Sequence, residues 1–181
     1  FNLGISNTQF PYIHHGLTFP EFEKPTHGEN FLNTNPLLIT VGRIEIIKGH
    51  HFLIEALPAV LEVFPQTKLL VLGDGTEKAN CEKRVKEANL EKNVEFMGFV
   101  EQPYQYINNS DIVIQPSFFE SFGLVFLEGL ALKTPIIAFD VPAGNEILEN
   151  DKTALLVNKG DSKALAEKII YLLQNPAVAK Q

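Results

Sequence analysis

Two carboxylates, Glu120 and Glu128, stand seven residues apart on either side of Ser121-Phe-Gly-Leu-Val-Phe-Leu127. A glycosidase-type pair needs its carboxyl groups about 5 to 9.5 Å apart across one bond. Were the whole span helical, these two would lie roughly 12 Å apart along the axis, which suits the two ends of an elongated ligand better than a hydrolytic pair. Glu128 could accept both hydrogen bonds of a vicinal diol, and Glu120 those of a second hydroxyl pair. Between them, Gly123 opens an apolar stretch of buried-helix type, Gly123 to Leu132. A helix start presents amides without intrahelical partners and the positive end of the macrodipole, so phosphate can be held there by backbone alone, at Phe122, Gly123 and Leu124 with Ser121 beside them. Either Glu by itself would read as a solvated helix charge. The pair and the glycine turn together favour a ligand site.

Arg43 and Lys48 supply cations of the right kind for such a ligand. They bracket the loop between the apolar run Pro36-Leu-Leu-Ile-Thr-Val-Gly42 and an amphipathic stretch from His50 to Phe64. A guanidinium offers a planar fork for phosphate oxygens and an ammonium a mobile point charge, a combination that fits a diphosphate.

The elements that must position these groups alternate along the chain. Apolar runs predict strands near 37–42, 68–73, 94–98, 111–115, 135–139 and 154–157. Helical patterns fall near 49–64, 76–89, 102–109, 123–133, 143–149 and 161–174. Such alternation predicts an α/β, Rossmann-like parallel sheet with helices on both faces. Both candidate motifs then fall at the C-terminal edge of the strands, where open α/β sheets take ligands. Residues 1–36 lack the rhythm and carry Pro11, Pro20, Pro25 and Pro36, so they read as an interdomain segment preceding a domain over 37–181.

Taken together, Gly42-Arg-Ile-x-x-x-Lys-Gly49 and Glu120-x-Phe-Gly-Leu-x-x-x-Glu128 resemble the C-terminal half of a GT-B, family 4 retaining glycosyltransferase. Further stretches continue the likeness: Tyr12-Ile-His-His-Gly-Leu17, Leu69-Leu-Val-Leu-Gly-Asp-Gly75, Val94-Glu-Phe-Met-Gly-Phe-Val100, Asp111-Ile-Val-Ile-Gln-Pro-Ser117 and Thr134-Pro-Ile-Ile-Ala138. The chain departs from the family pattern at His14-His15, Gly129, Lys133 and the loop Pro142-Ala-Gly-Asn-Glu146. The resemblance implies transfer of a sugar from a nucleoside-diphosphate sugar to a saccharide or lipid-linked acceptor, with the anomeric configuration kept. It implies catalytic roles for Arg43, Lys48 and Glu120 and ribose binding by Glu128. Gly42, Ser121, Phe122, Gly123 and Leu124 would line the donor site, with Phe99 and Val100 at the nucleobase. No metal and no cofactor beyond the donor are expected. The acceptor wall would come from an N-terminal half, without which this domain is expected to bind donor and transfer nothing. A cytoplasmic enzyme follows, peripheral to the inner face of the membrane through that other half. The rival reading is a non-catalytic module that binds nucleotide sugars.

Composition excludes several other classes. The 181 residues are 45% hydrophobic, enough for one core, and no apolar run approaches the roughly 20 residues of a membrane span. No charged-then-apolar signal sequence is visible. The net charge of −7 argues against nonspecific nucleic-acid binding. Lys78, Lys83, Arg84 and Lys86 alternate with Glu77, Glu82 and Glu87, as on a solvated helix face. A single cysteine, Cys81, excludes an internal disulfide. Gly73-Asp-Gly75 lacks the third glycine of a dinucleotide fingerprint, Lys78 standing there, and reads as a turn or loop near the base. His14, His15, His27, His50 and His51 lack metal-site spacing. Phe118, Phe119, Phe122 and Phe126 read mostly as core, and no Ser-His-Asp arrangement can be assembled.

Overall fold

The computed structural model describes residues 35–178. The expected interdomain segment, all but its last two residues, lies outside that range, as do the motif at 12–17 and His14, His15 and His27.

Six strands form one parallel sheet: β1 (Leu37–Val41), β2 (Lys68–Leu72), β3 (Val94–Gly98), β4 (Ile112–Gln115), β5 (Ile136–Phe139) and β6 (Leu155–Val157), in the order β3-β2-β1-β4-β5-β6. The helices are α1 (His50–Val63), α2 (Lys78–Glu87), α3 (Tyr104–Asn108), α4 (Leu124–Leu132), α5 (Pro142–Asn145) and α6 (Ser162–Gln174). The central strands are mostly apolar on both sides, so successive residues feed two different cores. Leu38, Ile112, Ile114, Ile137 and Phe139 join the core under α1, α2 and α6. Their neighbours Ile39, Val113, Ile136 and Ala138 join the core under α3 and α4, where Ile107 and Phe126 are fully buried.

Local chemistry sets where elements stop. The Asp161 carboxylate accepts from Ala164 N at 2.9 Å and caps α6. Helix α2 begins two residues later than its pattern predicts, because the Thr76 hydroxyl donates to Glu45 at 2.7 Å and ties that turn to the loop after β1. Helix α5 is also shorter than the 143–149 expected. Ile147 and Leu148 both donate to the Gly144 carbonyl, and the Thr153 hydroxyl accepts from Glu149 N, so the chain turns toward β6. On α2 the basic residues pair along or off the helix, Lys83 with Glu87 and Arg84 with Glu55, as a solvated face should. No helix among the described residues is long and apolar enough to cross a membrane.

The strand order places the functional edge. From β1 the chain moves one way to β2 and β3, then returns to lay β4 against β1 on the other side. The loops leaving β1 and β4 therefore diverge to opposite faces of the sheet, and the crevice between them is a topological switch point.

Candidate functional site

The loop after β1 is built from residues 42–49 and ends in a short 3-10 turn, Ile46–Lys48. Gly49 then adopts φ 67°, and a Cβ there would lie 2.0 Å from the Pro116 carbonyl oxygen. Only glycine lets the two loops touch at that point. Phe118 N donates to the Ile47 carbonyl at 2.8 Å and completes the seal. The second loop is also held by its aromatics. Phe118 packs on Phe52 of α1 and on Phe139 of β5, with ring centroids 5.2 and 5.7 Å apart. On the far side, Gly42 N donates to the Leu72 carbonyl and Ile44 N to the Asp74 carbonyl, so Gly73-Asp-Gly75 braces the first loop.

Between the two loops lies a cleft of about 310 Å³, lined by Val41, Gly42, Arg43, Lys48, Gln115, Glu120, Ser121, Phe122, Gly123, Leu124 and Val125. Eight of the eleven residues predicted for the site are thus brought together: Gly42, Arg43, Lys48, Glu120, Ser121, Phe122, Gly123 and Leu124. Helix α4 opens at the cleft with Gly123 as its N-cap, and its first turn closes with Phe126 N donating to the Gly123 carbonyl at 2.9 Å. The amides at this end face a site that would accept an anion.

Lys48 and Glu120 are joined directly. The ammonium donates to both carboxylate oxygens at 2.8 Å, and the two side chains are 16% and 8% exposed. Sequence reasoning gave each residue a ligand of its own and missed that they are partners. It also missed Gln115, whose amide N–H₂ donates to Ser117 Oγ at 3.3 Å and to Glu120 Oε1 at 3.4 Å. The available signal was a polar residue ending the apolar run Ile112-Val-Ile just before Pro116. Arg43 is exposed on the cleft rim.

Three predicted residues lie apart from this cleft. Glu128 is in the second turn of α4 and only 8% exposed, with Oε2 lacking a protein hydrogen-bond partner. Burial pushes its carboxyl above the ordinary carboxylate range. Because α4 starts at Leu124, Glu120 belongs to the loop and the two carboxylates do not share one helix. Phe99 and Val100 follow β3, with Phe99 81% exposed. The expectation that the Phe cluster is mostly core is corrected: Phe118 and Phe119 are 37% and 62% exposed on the loop before the helix and Phe122 is half-buried, whereas Phe126 is fully buried.

His50, the first residue of α1, is 3% exposed, and neither ring nitrogen has a hydrogen-bond partner. Desolvation, then the charges of Lys48 and His51, hold its pKa down at about 4, so the ring is neutral at physiological pH.

Comparison with known proteins agrees with this architecture. The family model for glycosyl transferases group 1 matches residues 22–181. The capsular polysaccharide biosynthesis glycosyltransferase CapM of Staphylococcus aureus is 31% identical over 169 residues, 90% of this chain and 44% of that protein. A phosphatidyl-myo-inositol mannosyltransferase of Mycobacterium leprae is 33% identical over 137 residues, 74% of this chain and 36% of its own length. This chain thus spans less than half the length of these relatives. Among solved structures, a mutant of S. aureus TarM in complex with fondaparinux, alpha-GlcNAc-glycerol and UDP superposes with TM-score 0.78 at 25% identity, covering 94% of this chain and 32% of that one. The C-terminal domain of a Francisella tularensis group 1 glycosyl transferase, LpcC, gives TM-score 0.74 at 28% identity and covers 90% and 88% of the two chains.

Proposed function

Because this chain belongs to the glycosyl transferases group 1 family, we propose that it is the donor-binding half of an enzyme that moves a sugar from a nucleoside diphosphate to an acceptor, with retention of configuration. The observation that carries this reading is the Lys48–Glu120 pair, set at the topological switch point beside the N-terminus of α4. A cation, a carboxylate and backbone amides thus border one cleft.

In this reading the departing diphosphate lies over the start of α4, between Arg43 and Lys48. As the bond from the sugar's anomeric carbon to phosphate oxygen breaks, its electron pair goes to the diphosphate, the acceptor's hydroxyl oxygen bonds to that carbon, and the hydroxyl proton passes to the departing phosphate. Fixed positive charge then stabilises that product more than the reactant. Glu120 orients the sugar through its hydroxyls. Glu128, whose buried Oε2 has no protein partner, accepts from the ribose diol. Phe99 offers an exposed ring to the base. Arg43 and Lys48 supply the charge that a divalent cation supplies elsewhere. The acceptor wall belongs to an N-terminal half, and the relatives' names point to polysaccharide or glycolipid synthesis as the setting.

The test is calorimetric titration of this chain with uridine, guanosine and adenosine diphosphates and their sugars, followed by a transfer assay. Binding of one nucleotide sugar without transfer is expected, with EDTA-insensitive, configuration-retaining transfer once the N-terminal half is supplied. Failure of every nucleotide to bind would overturn the reading. A strict magnesium requirement would remove the charge role given to Arg43 and Lys48.

A further inference from the structure

We propose that Gln115 is a positioning residue for Glu120, holding the carboxylate in register with the donor sugar when Lys48 turns toward phosphate. The proposal rests on the function argued above and adds a residue to it. The two partners of Glu120 differ in how firmly they are mounted. Lys48 reaches Glu120 from a loop, on a side chain with four rotatable carbons. Gln115 is the last residue of β4, in register with Ala138 of β5, and only 2% exposed. Its two amide hydrogens have separate acceptors, Ser117 Oγ and Glu120 Oε1, at 3.3 and 3.4 Å.

Lys48 cannot serve Glu120 and a diphosphate with all its donors at once. As negative charge develops on the departing phosphate, the ammonium is drawn away from Glu120. The strand-mounted amide remains and keeps Glu120 from swinging.

The cost of keeping this amide argues for a role. Gln115 Oε1 is buried without a hydrogen-bond partner. The three residues before it in the strand, Ile112, Val113 and Ile114, are apolar and fully buried. An apolar residue at 115 would remove that orphaned oxygen but would take the amide donor from Ser117 Oγ, whose residue is 1% exposed, and from Glu120. The glutamine therefore serves the polar groups at the cleft rather than the apolar core of β4.

Gln115→Leu and Gln115→Glu test the proposal, in this chain, by calorimetry with the tightest-binding member of a panel of UDP-glucose, UDP-N-acetylglucosamine, GDP-mannose and ADP-glucose, alongside its nucleoside diphosphate. Gln115→Leu should leave the melting temperature near that of the wild type, since it relieves one orphaned oxygen and removes a donor from Ser117 Oγ. It should leave nucleoside diphosphate affinity within about twofold while weakening the nucleotide sugar by about tenfold, as loss of a hydrogen bond to a charged group does. Gln115→Glu should restore sugar binding at low pH, where a protonated carboxyl can donate to Glu120 as the amide did. That binding should fade as pH rises and the introduced carboxyl, in the cleft that Lys48 and Arg43 also line, loses the proton it donates. A packing role would instead lower the melting temperature of both variants and weaken both ligands alike at every pH. That result, or sugar affinity unchanged in Gln115→Leu, overturns the proposal while leaving the wild-type donor reading intact. A wild type that binds the nucleoside diphosphate but none of the sugars overturns both.

Discussion

Lys48 and Glu120, 72 positions apart in the chain, meet with the ammonium 2.8 Å from each carboxylate oxygen, and that bond closes the floor between the two halves of the sheet. The pair ties the loop after β1 to the loop after β4. A carboxylate 8% exposed requires a cation, and this cation comes from the loop best placed to hold phosphate.

Arg43 and Lys48 should therefore differ in kind. Replacing either by Ala is expected to weaken nucleoside diphosphate binding by about 1.5 to 3 kcal/mol. Lys48→Ala should also lower folding stability by about 1 to 3 kcal/mol, since Glu120 then lacks its counter-charge. Arg43 is exposed, and Arg43→Ala should stay within about 0.5 kcal/mol in stability. Calorimetry and urea unfolding on the same two variants check this. Equal stability losses would show that the pair does not matter to the fold.

Glu128 presents the opposite trade. Its carboxyl is raised by burial, so the stability it contributes is present below the ordinary carboxylate pKa and is lost as pH rises through the folded value. Glu128→Gln should accordingly raise the melting temperature at pH 7. It should weaken a ribonucleotide much more than its 2′,3′-dideoxy analogue, which lacks the diol. Equal weakening of both analogues would take the ribose away from Glu128.

His50 sets an acid limit on the fold. Its pKa is depressed from the ordinary value of 6.5 to about 4, so the unfolded chain takes up the proton first. The stability it contributes is complete above pH 6.5 and is lost as pH falls from there toward 4, amounting to roughly 2 to 3 kcal/mol. His50→Leu should flatten the unfolding free energy across that window, as followed by denaturant titration at pH 7 and 4.5. An unchanged slope would assign the acid sensitivity elsewhere.

Gly49→Ala should cost more than about 2 kcal/mol, because positive φ and a backbone clash with Pro116 act together. Gly98 is the control. It has φ 71° with nothing within 4 Å of an added Cβ, so Gly98→Ala should cost only the backbone strain of about 1 kcal/mol. Melting temperatures of the two variants separate clash from strain, and equal shifts would mean that the two loops can part freely.

Much of this was legible before any coordinates, for identifiable reasons. Six apolar runs mark six strands within a residue or two, because strands buried largely on both faces carry few polar positions to blur them. Gly42, Arg43, Lys48 and the segment 120–124 could be placed at one edge because every strand of a parallel sheet ends on the same side. What stayed hidden depended on which side chains meet in space. Nothing in the neighbours of Lys48 announces Glu120, and Gln115 reads as the tail of an apolar run until its amide is seen between Ser117 and Glu120. Helix α5 stops at Asn145, short of its apolar pattern, and the chain beyond it turns where the Thr153 hydroxyl accepts from Glu149 N.

Beneath the cleft, β1 and β4 are in register only through Leu38 with Ile112 and Ile39 with Val113, whereas β1 matches β2 along its whole length. Hydrogen bonds between Leu37 and Asp111 extend this seam, and it divides a block built from residues 37–98 from one built from residues 112–157. A nucleotide sugar gripped from both sides of that line would act as a staple across it, adding stability as RT ln(1 + [L]/Kd). Donor supply would then govern not only turnover but how cooperatively the two blocks unfold, and amide hydrogen exchange in β1 and β4 should slow together as ligand is added.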